Sequence, residues 1–240
     1  MLERDGVEKG VVINYVAPEV MGFTFKTNDW VINFCDQSNG RLIPVGGVDT
    51  KANPNAGELL KPYFETESLK MIKVHGPHQL INPNDYLSGN EGLYNLYSTC
   101  EEFGIPVLFH TGSSIFPKAR SRYGNPLMLE DVLIDFPDLK VIVAHGGRPF
   151  WTREFEYLML KYPKLYFDVS GVPPKLIGQY FPRLKRYAKR IIFGSDFPSP
   201  GVKGIRKNAE LLEQELLSFG IAHESLDLIF YKNALDVILN

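Results

Sequence analysis

Four of the five histidines in this 240-residue chain fall at or just past the ends of short apolar runs. These endings read Lys73-Val74-His75-Gly76-Pro77-His78, Leu108-Phe109-His110-Thr111-Gly112 and Val143-Ala144-His145-Gly146-Gly147-Arg148. A fourth, Phe193-Gly194-Ser195-Asp196-Phe197-Pro198, puts a carboxylate in the corresponding place, and only His223 lies elsewhere, at a helix start. Residues two apart on a strand share a face, so His110 with Leu108, His145 with Val143 and Asp196 with Gly194 are expected to point into one central mouth. Two imidazoles and one carboxylate suit Zn²⁺, Mn²⁺ or Fe²⁺ with a coordination position left open. A metal so held lowers the pKa of its bound water, and a carboxylate beside it can take the second proton. A lone histidine at a strand end can equally cap backbone groups, and Asp196 can close an Asx turn. It is the repetition on three separate runs that favours chemistry.

Around that set stand further polar groups. Lys73 shares parity with His75, and a lysine pointing into a closed barrel is costly unless it is paired or functional. Lys73 and His75 are therefore candidate substrate contacts, with a structural polar cluster as the alternative. Arg148, after two glycines, stands where a guanidinium can clasp a substrate carboxylate. The loop 113–125 carries Lys118, Arg120, Arg122 and Tyr123 and is a candidate lid, although Arg120 and Arg122 read better as solvated surface charges.

The elements that must carry these residues are legible as runs of Val, Ile, Leu and Phe at Val11–Val16, Leu42–Val48, Leu69–His75, Pro106–His110, Lys140–His145, Leu165–Val169 and Arg190–Phe193. They are apolar continuously rather than alternately, as parallel strands covered on both faces are. Helices are expected at Asn28–Ser38, Glu91–Phe103, Pro126–Phe136, Phe150–Tyr162, Pro174–Ala188, Lys203–Phe219 and Glu224–Leu239, several bounded by Pro or Gly. Seven strands alternating with helices, with no linker, predict one α/β domain over residues 1–240. No Gly-x-Gly-x-x-Gly follows the first run, which disfavours an open nucleotide-binding sheet. Short repeating units and a total near the ~250 residues of a (β/α)8 barrel favour the barrel.

Composition narrows the function classes. Apolar residues make up 44% and charged residues 22%, so the chain is an ordinary globular one. A net charge of −2 supplies no field for a nucleic-acid partner, and no run approaches the ~20 apolar residues of a membrane span. The start, charged and without an apolar stretch, does not read as a secretory signal. Two distant cysteines, Cys35 and Cys100, fit a reducing compartment, so a cytoplasmic location is expected.

Taken in order, Ile72-Lys73-Val74-His75, Phe109-His110-Thr111-Gly112, Ala144-His145-Gly146-Gly147-Arg148, Tyr166-Phe167-Asp168-Val169-Ser170-Gly171, Phe193-Gly194-Ser195-Asp196-Phe197-Pro198 and Lys232-Asn233-Ala234 resemble the amidohydrolase superfamily. The likeness is to its amidohydrolase-related branch of TIM-barrel metal-dependent hydrolases, which includes the aminocarboxymuconate semialdehyde decarboxylase-like enzymes, and it covers nearly the whole chain. The resemblance implies that His110 is a metal ligand, that Asp196 binds metal and shuttles a proton, and that His145 stabilises the transition state. It also implies a His-x-His pair at the end of a first strand. No His-x-His occurs here, and Leu2–Lys9 resembles the tail of the family's first helix, so seven of eight strands are expected in this chain.

The expected function is metal-assisted hydrolysis of a C–O or C–N bond in a small carboxylated substrate, with His110 and Asp196 holding a divalent metal, zinc by ligand chemistry. Asp196 acts as base, His145 polarises the oxyanion and Arg148 holds the carboxylate. The alternatives are non-oxidative decarboxylation on the same site, a metal-independent lactonase using Asp196 as base, and an inactive barrel whose incomplete site lacks the metal. An exposed barrel edge also leaves a homo-oligomer open.

Overall fold

The computed structural model describes residues 2–199, 202 and 204–239. Seven strands run β1 Gly10–Ile13, β2 Leu42–Gly46, β3 Met71–Val74, β4 Val107–His110, β5 Val141–Ala144, β6 Tyr166–Asp168 and β7 Ile191–Ile192. All neighbours pair in parallel and in sequence order, from β1 to β7. Each of the seven lies within or overlaps an expected apolar run. Helices connect them, and the sheet curls into the wall of a TIM barrel. Among the described residues no pairing joins β7 back to β1.

Alternation along the strands separates two apolar layers. Ile72, Val74, Val107, Phe109, Val141, Val143, Phe167 and Ile191 face outward, into a core shared with helix residues such as Val31, Leu60, Leu96, Val132, Phe155 and Leu158. Ile43, Val45, Met71, Leu108, Ile142, Ala144 and Ile192 face inward, where Val237 and Ile238 of the last helix join them. Full burial of one such side chain contributes about 1.5–3 kcal/mol, so every strand is held on both faces.

Most expected helices form: Thr27–Asp36, Glu91–Glu102, Leu129–Asp135, Thr152–Lys161, Ile205–Ser218 and Asn233–Leu239. Asn90 caps Glu91–Glu102 by accepting the Leu93 amide at 3.1 Å. Lys203, the expected start of one helix, lies outside the described residues. Pro174–Ala188 is not one helix. It breaks into Pro174–Leu176, Ile177–Tyr180 and Leu184–Arg190, because Pro182 in its middle lacks an amide proton and cannot continue the ladder. A further helix, Ala56–Glu65, carries an internal Pro62 that hides it from propensity.

Helix Ala56–Glu65 packs on Glu91–Glu102 at Gly57, where a Cβ would lie 2.1 Å from Thr99 Oγ1 and 2.5 Å from the Asn95 carbonyl. Gly57→Ala should cost about 1–3 kcal/mol by overpacking. Urea unfolding measures it, and an unchanged midpoint would mean that the two helices part freely.

Candidate active site

The polar side chains gather at the C-terminal ends of the strands. Lys73 lies inward on β3, with Met71, and is buried; His75 and His78 follow in the next turn and are buried as well. That turn is tied down by Gln79. Its Oε1 accepts the His75 amide at 2.8 Å, and its Nε2 donates to the carbonyls of Val16 and Val48 at 2.9 Å each, just past β1 and β2. Thr111 ties the end of β4 to that of β5, its hydroxyl donating to the Ala144 carbonyl at 2.7 Å and accepting the Gly147 amide at 2.8 Å.

His145 reaches the mouth by a route other than strand alternation. Val143, its expected companion, faces outward, and Ala144 faces inward. Alternation alone would therefore turn His145 away. Left-handed backbone at His145 (φ 67°) and Gly146 (φ 60°) swings the ring back instead. Asp196 is likewise left-handed, at φ 55°, and lies exposed on the rim, where its Oδ2 accepts a hydrogen bond from Ser199 Oγ at 2.8 Å.

The imidazoles form a continuous pile. His78 and His75 stack with ring centroids 3.6 Å apart, His75 and His110 at 3.8 Å, and His145 meets His110 edge-on at 4.7 Å. Burial first, and then like charge from the neighbouring groups, pushes all four down, His78 and His145 to about 4. The rings are neutral at pH 7, so each carries one proton. Carbonyls choose which nitrogen holds it in two of them. His145 Nδ1 donates to the Ser170 carbonyl at 2.6 Å, and His110 Nε2 to the Ser113 carbonyl at 3.2 Å. His145 Nε2 is thereby left as a lone pair.

The charged groups are as heavily desolvated. Burial lowers Lys73 to about 8 against the opposing pull of Asp168 and Asp196. Burial raises Asp168 to about 6, restrained by the Ser170 amide and hydroxyl, which donate to it at 2.9 and 2.7 Å. Arg148 is lowered by burial, and its Nε is buried without a hydrogen-bond partner, as is His75 Nδ1. Arg148, His145 and Asp196 converge on Gly171. A Cβ built there would lie 2.5 Å from Arg148 Nη2, 2.9 Å from His145 Nδ1 and 3.2 Å from Asp196 Oδ2.

Lys73, His75, His110, His145, Arg148 and Asp196 thus belong to one neighbourhood. Arg120 and Arg122 are exposed outside it, Arg122 donating to the Tyr123 hydroxyl at 2.9 Å. The loop 113–125 is pinned rather than free, by Ser113 N to the Arg148 carbonyl at 3.0 Å, Arg120 N to the Pro77 carbonyl at 3.0 Å and Gly112 N to the Gly124 carbonyl at 2.7 Å. Asp168 lies within one of the family motifs but is given no role by sequence, although it ends a strand two residues after the inward Tyr166. Tyr15, which hydrogen-bonds His78 Nδ1 at 2.8 Å, carried no signal.

The residues do not make a ready metal centre. Among the described residues no group of three or more His, Cys, Asp and Glu side chains is placed to hold an ion. The two expected ligands have other partners, His110 Nε2 at Ser113 and Asp196 Oδ2 at Ser199. Among the described residues no helix is long and apolar enough to cross a membrane.

A barrel with this mouth is the architecture of the amidohydrolases, and the sequence agrees: the amidohydrolase family model matches residues 9–238, so the chain belongs to that family. Among solved structures it is similar to an uncharacterized TIM-barrel protein from Bordetella bronchiseptica (23% identity, 99% of this chain and 80% of that one, TM-score 0.77). It is also similar to a dihydroxybenzoic acid decarboxylase from Polaromonas sp. JS666 with bound manganese and the inhibitor 2-nitroresorcinol (15% identity, 99% and 83% covered, TM-score 0.72). A third is a probable 2-pyrone-4,6-dicarboxylic acid hydrolase from Acinetobacter baumannii with citric acid bound (15% identity, 100% and 86% covered, TM-score 0.70). No curated protein matches the chain in sequence.

The neutral histidines set the acid limit of the fold. Their folded pKa values lie below the ordinary 6.5, so the unfolded chain binds more protons, and stability is lost as pH falls from 6.5 towards 4. Asp168, raised from 3.8 to about 6, works in the opposite direction over the lower part of that window. With four imidazoles against one carboxylate, the urea midpoint should fall between pH 6.5 and pH 4, and His145→Asn should flatten the fall. A midpoint constant over that range would show that the rings are not held neutral.

Proposed function

We propose that the chain is a hydrolase that cleaves a C–O or C–N bond in a small carboxylated substrate, with Asp196 as general base. The observation that carries this reading is the convergence of Arg148, His145 and Asp196 on Gly171. It sets an anion-binding cation and an exposed carboxylate around one space. Arg148 is largely buried and its Nε has no hydrogen-bond partner, so a substrate carboxylate paired with its guanidinium would offset the cost of that desolvation. Two structural neighbours, the decarboxylase and the citrate-bound hydrolase, carry names of carboxylic acid substrates, which supports the substrate class.

In this reading Arg148 pairs with the substrate carboxylate, and His75 Nδ1 offers it a further polar contact. Asp196, open to solvent, removes a proton from water as the water oxygen bonds to the substrate carbonyl carbon. The oxyanion that develops is stabilised by the buried Lys73 ammonium, whose attraction is strengthened where water is excluded. His145 suits an accepting role better than the polarising one expected from resemblance, since its proton is committed to the Ser170 carbonyl and its Nε2 is a lone pair. Collapse of the tetrahedral intermediate breaks the C–O or C–N bond, and the proton on Asp196 returns to the leaving group. No step is routed through a metal, because the expected ligands are not arranged as a metal-binding group.

Hydrolysis of a panel of carboxylated esters, lactones and amides tests the reading. Asp196→Asn should lower kcat by about 10²–10⁴-fold, the range of general base catalysis. Arg148→Met should raise KM for carboxylated substrates roughly 10- to 100-fold, as expected for a lost charge-assisted hydrogen bond, and leave neutral esters unaffected. Undiminished turnover in Asp196→Asn overturns the mechanism. Release of carbon dioxide from an aromatic acid without hydrolysis replaces it by decarboxylation. One tightly held first-row metal ion per chain on elemental analysis replaces it by the metal-assisted route.

A further inference from the structure

A hydrogen-bonded line of three side chains lies beside the histidine pile, outside the machinery assigned to hydrolysis. Ser114, in the loop after β4, sits with its Oγ 2.7 Å from His78 Nε2, and His78 Nδ1 sits 2.8 Å from the Tyr15 hydroxyl, just past β1. The three come from three separate segments, which tertiary packing alone has aligned. His78 itself is buried and clamped, stacked on His75 at 3.6 Å and met edge-on by Phe116 at 5.0 Å.

The Phe116 amide donates to Ser114 Oγ at 3.3 Å, which occupies one lone pair of that oxygen and leaves its O–H available to the imidazole. In the tautomer with the proton on Nδ1, His78 donates to the Tyr15 oxygen and presents the Nε2 lone pair to Ser114, and this is the tautomer that activation of Ser114 requires. Burial and the Lys73 cation hold His78 at about 4, so the ring is neutral and its lone pair is available at neutral pH. A hydroxyl within hydrogen-bond reach of an imidazole whose far nitrogen is oriented by a third group is the arrangement of an activated nucleophile.

The surroundings suit an apolar acyl group. Ser114 is half-buried, whereas the adjoining Ile115 and Phe116 are 77% and 45% exposed and present apolar surface beside it. Among the described residues nothing accepts the backbone N–H of Ile115. An amide donor immediately after a nucleophile is where acyl-transfer enzymes place one arm of an oxyanion hole.

The geometry points to Ser114 as a nucleophile for esters with small apolar acyl groups, with His78 as its base and Tyr15 as a positioning residue. In the first step the Ser114 Oγ–carbonyl bond forms and the ester C–O bond breaks. The hydroxyl proton passes to His78 Nε2 and then to the departing alkoxide. Water reverses the sequence, releasing the acid and restoring Ser114. The assignment does not depend on Asp196 or Arg148, so it stands or falls apart from the hydrolase reading.

An alkyl fluorophosphonate is the probe, because it phosphonylates activated serines and needs no knowledge of the natural ester. Intact-mass and peptide analysis of the full chain should find one adduct, on Ser114. Ser114→Ala should abolish it. Ser114→Cys should transfer reactivity to iodoacetamide at that position, where Cys35 and Cys100 are buried. Tyr15→Phe should slow phosphonylation about 10-fold, less than the roughly 10²–10⁴-fold of losing the general base itself, with reversible binding of the probe unchanged. No adduct on the wild-type chain, an adduct that persists in Ser114→Ala, or an unreactive thiol in a folded Ser114→Cys overturns the nucleophile. An unchanged rate in Tyr15→Phe overturns the part given to Tyr15.

Discussion

The two-residue period of seven parallel strands governs everything else in this molecule. A strand covered on both faces must place apolar groups inside and outside alike, and polar groups are confined to its C-terminal end. The inward rows show the consequence. Met71 precedes Lys73, Leu108 precedes His110, Tyr166 precedes Asp168, and Ile192 precedes Gly194 and Asp196. Beneath the mouth lies a layer of apolar side chains, and the polar groups at its top are desolvated from below.

That desolvation determines the electrostatic character of the mouth. Cations and anions there are pushed towards neutrality together, Lys73 downward and Asp168 upward, while the imidazoles lose their charge altogether. Neutral rings can stack face to face at under 4 Å, whereas charged ones would repel. Backbone carbonyls then select the tautomers of His110 and His145, so the direction in which those two rings can act is set by the loops beside them. Asp196 differs in standing at the exposed rim, in contact with solvent.

At His145 alternation would point the side chain the wrong way, and the backbone leaves the strand conformation. His145 and Asp196 both adopt left-handed geometry, which costs a non-glycine residue of order 1 kcal/mol and persists only where surrounding bonds enforce it. Thr111 supplies that enforcement for His145 by joining two strand ends. Gly171 has a complementary part: its missing side chain is the space into which Arg148, His145 and Asp196 reach, and φ of 65° suits it to no other residue as well.

How much of this was written in the chain can be judged residue by residue. Seven continuous apolar runs specified seven strands, because a hydrophobic period depends only on local order, although the first, β1, is only partly buried. The positions of His75, His110 and Asp196 at strand ends followed from the same counting, and the family motifs from their spacing. Helix Ala56–Glu65 has no counterpart among the expected elements, because its internal Pro62 masks it and packing overrides propensity, while the expected helix Pro174–Ala188 is broken at Pro182 by a missing amide. Parity misplaced the reason for His145, because one left-handed residue reverses a face without changing composition. The alignment of Tyr15, His78 and Ser114, the stacking of the rings and the choice of their protons were decided only in three dimensions. Each depends on distances between segments far apart in sequence, and no local pattern encodes them. The amino-acid order by itself determined a barrel with polar ends, and tertiary packing determined which of those polar groups meet and in what state of charge.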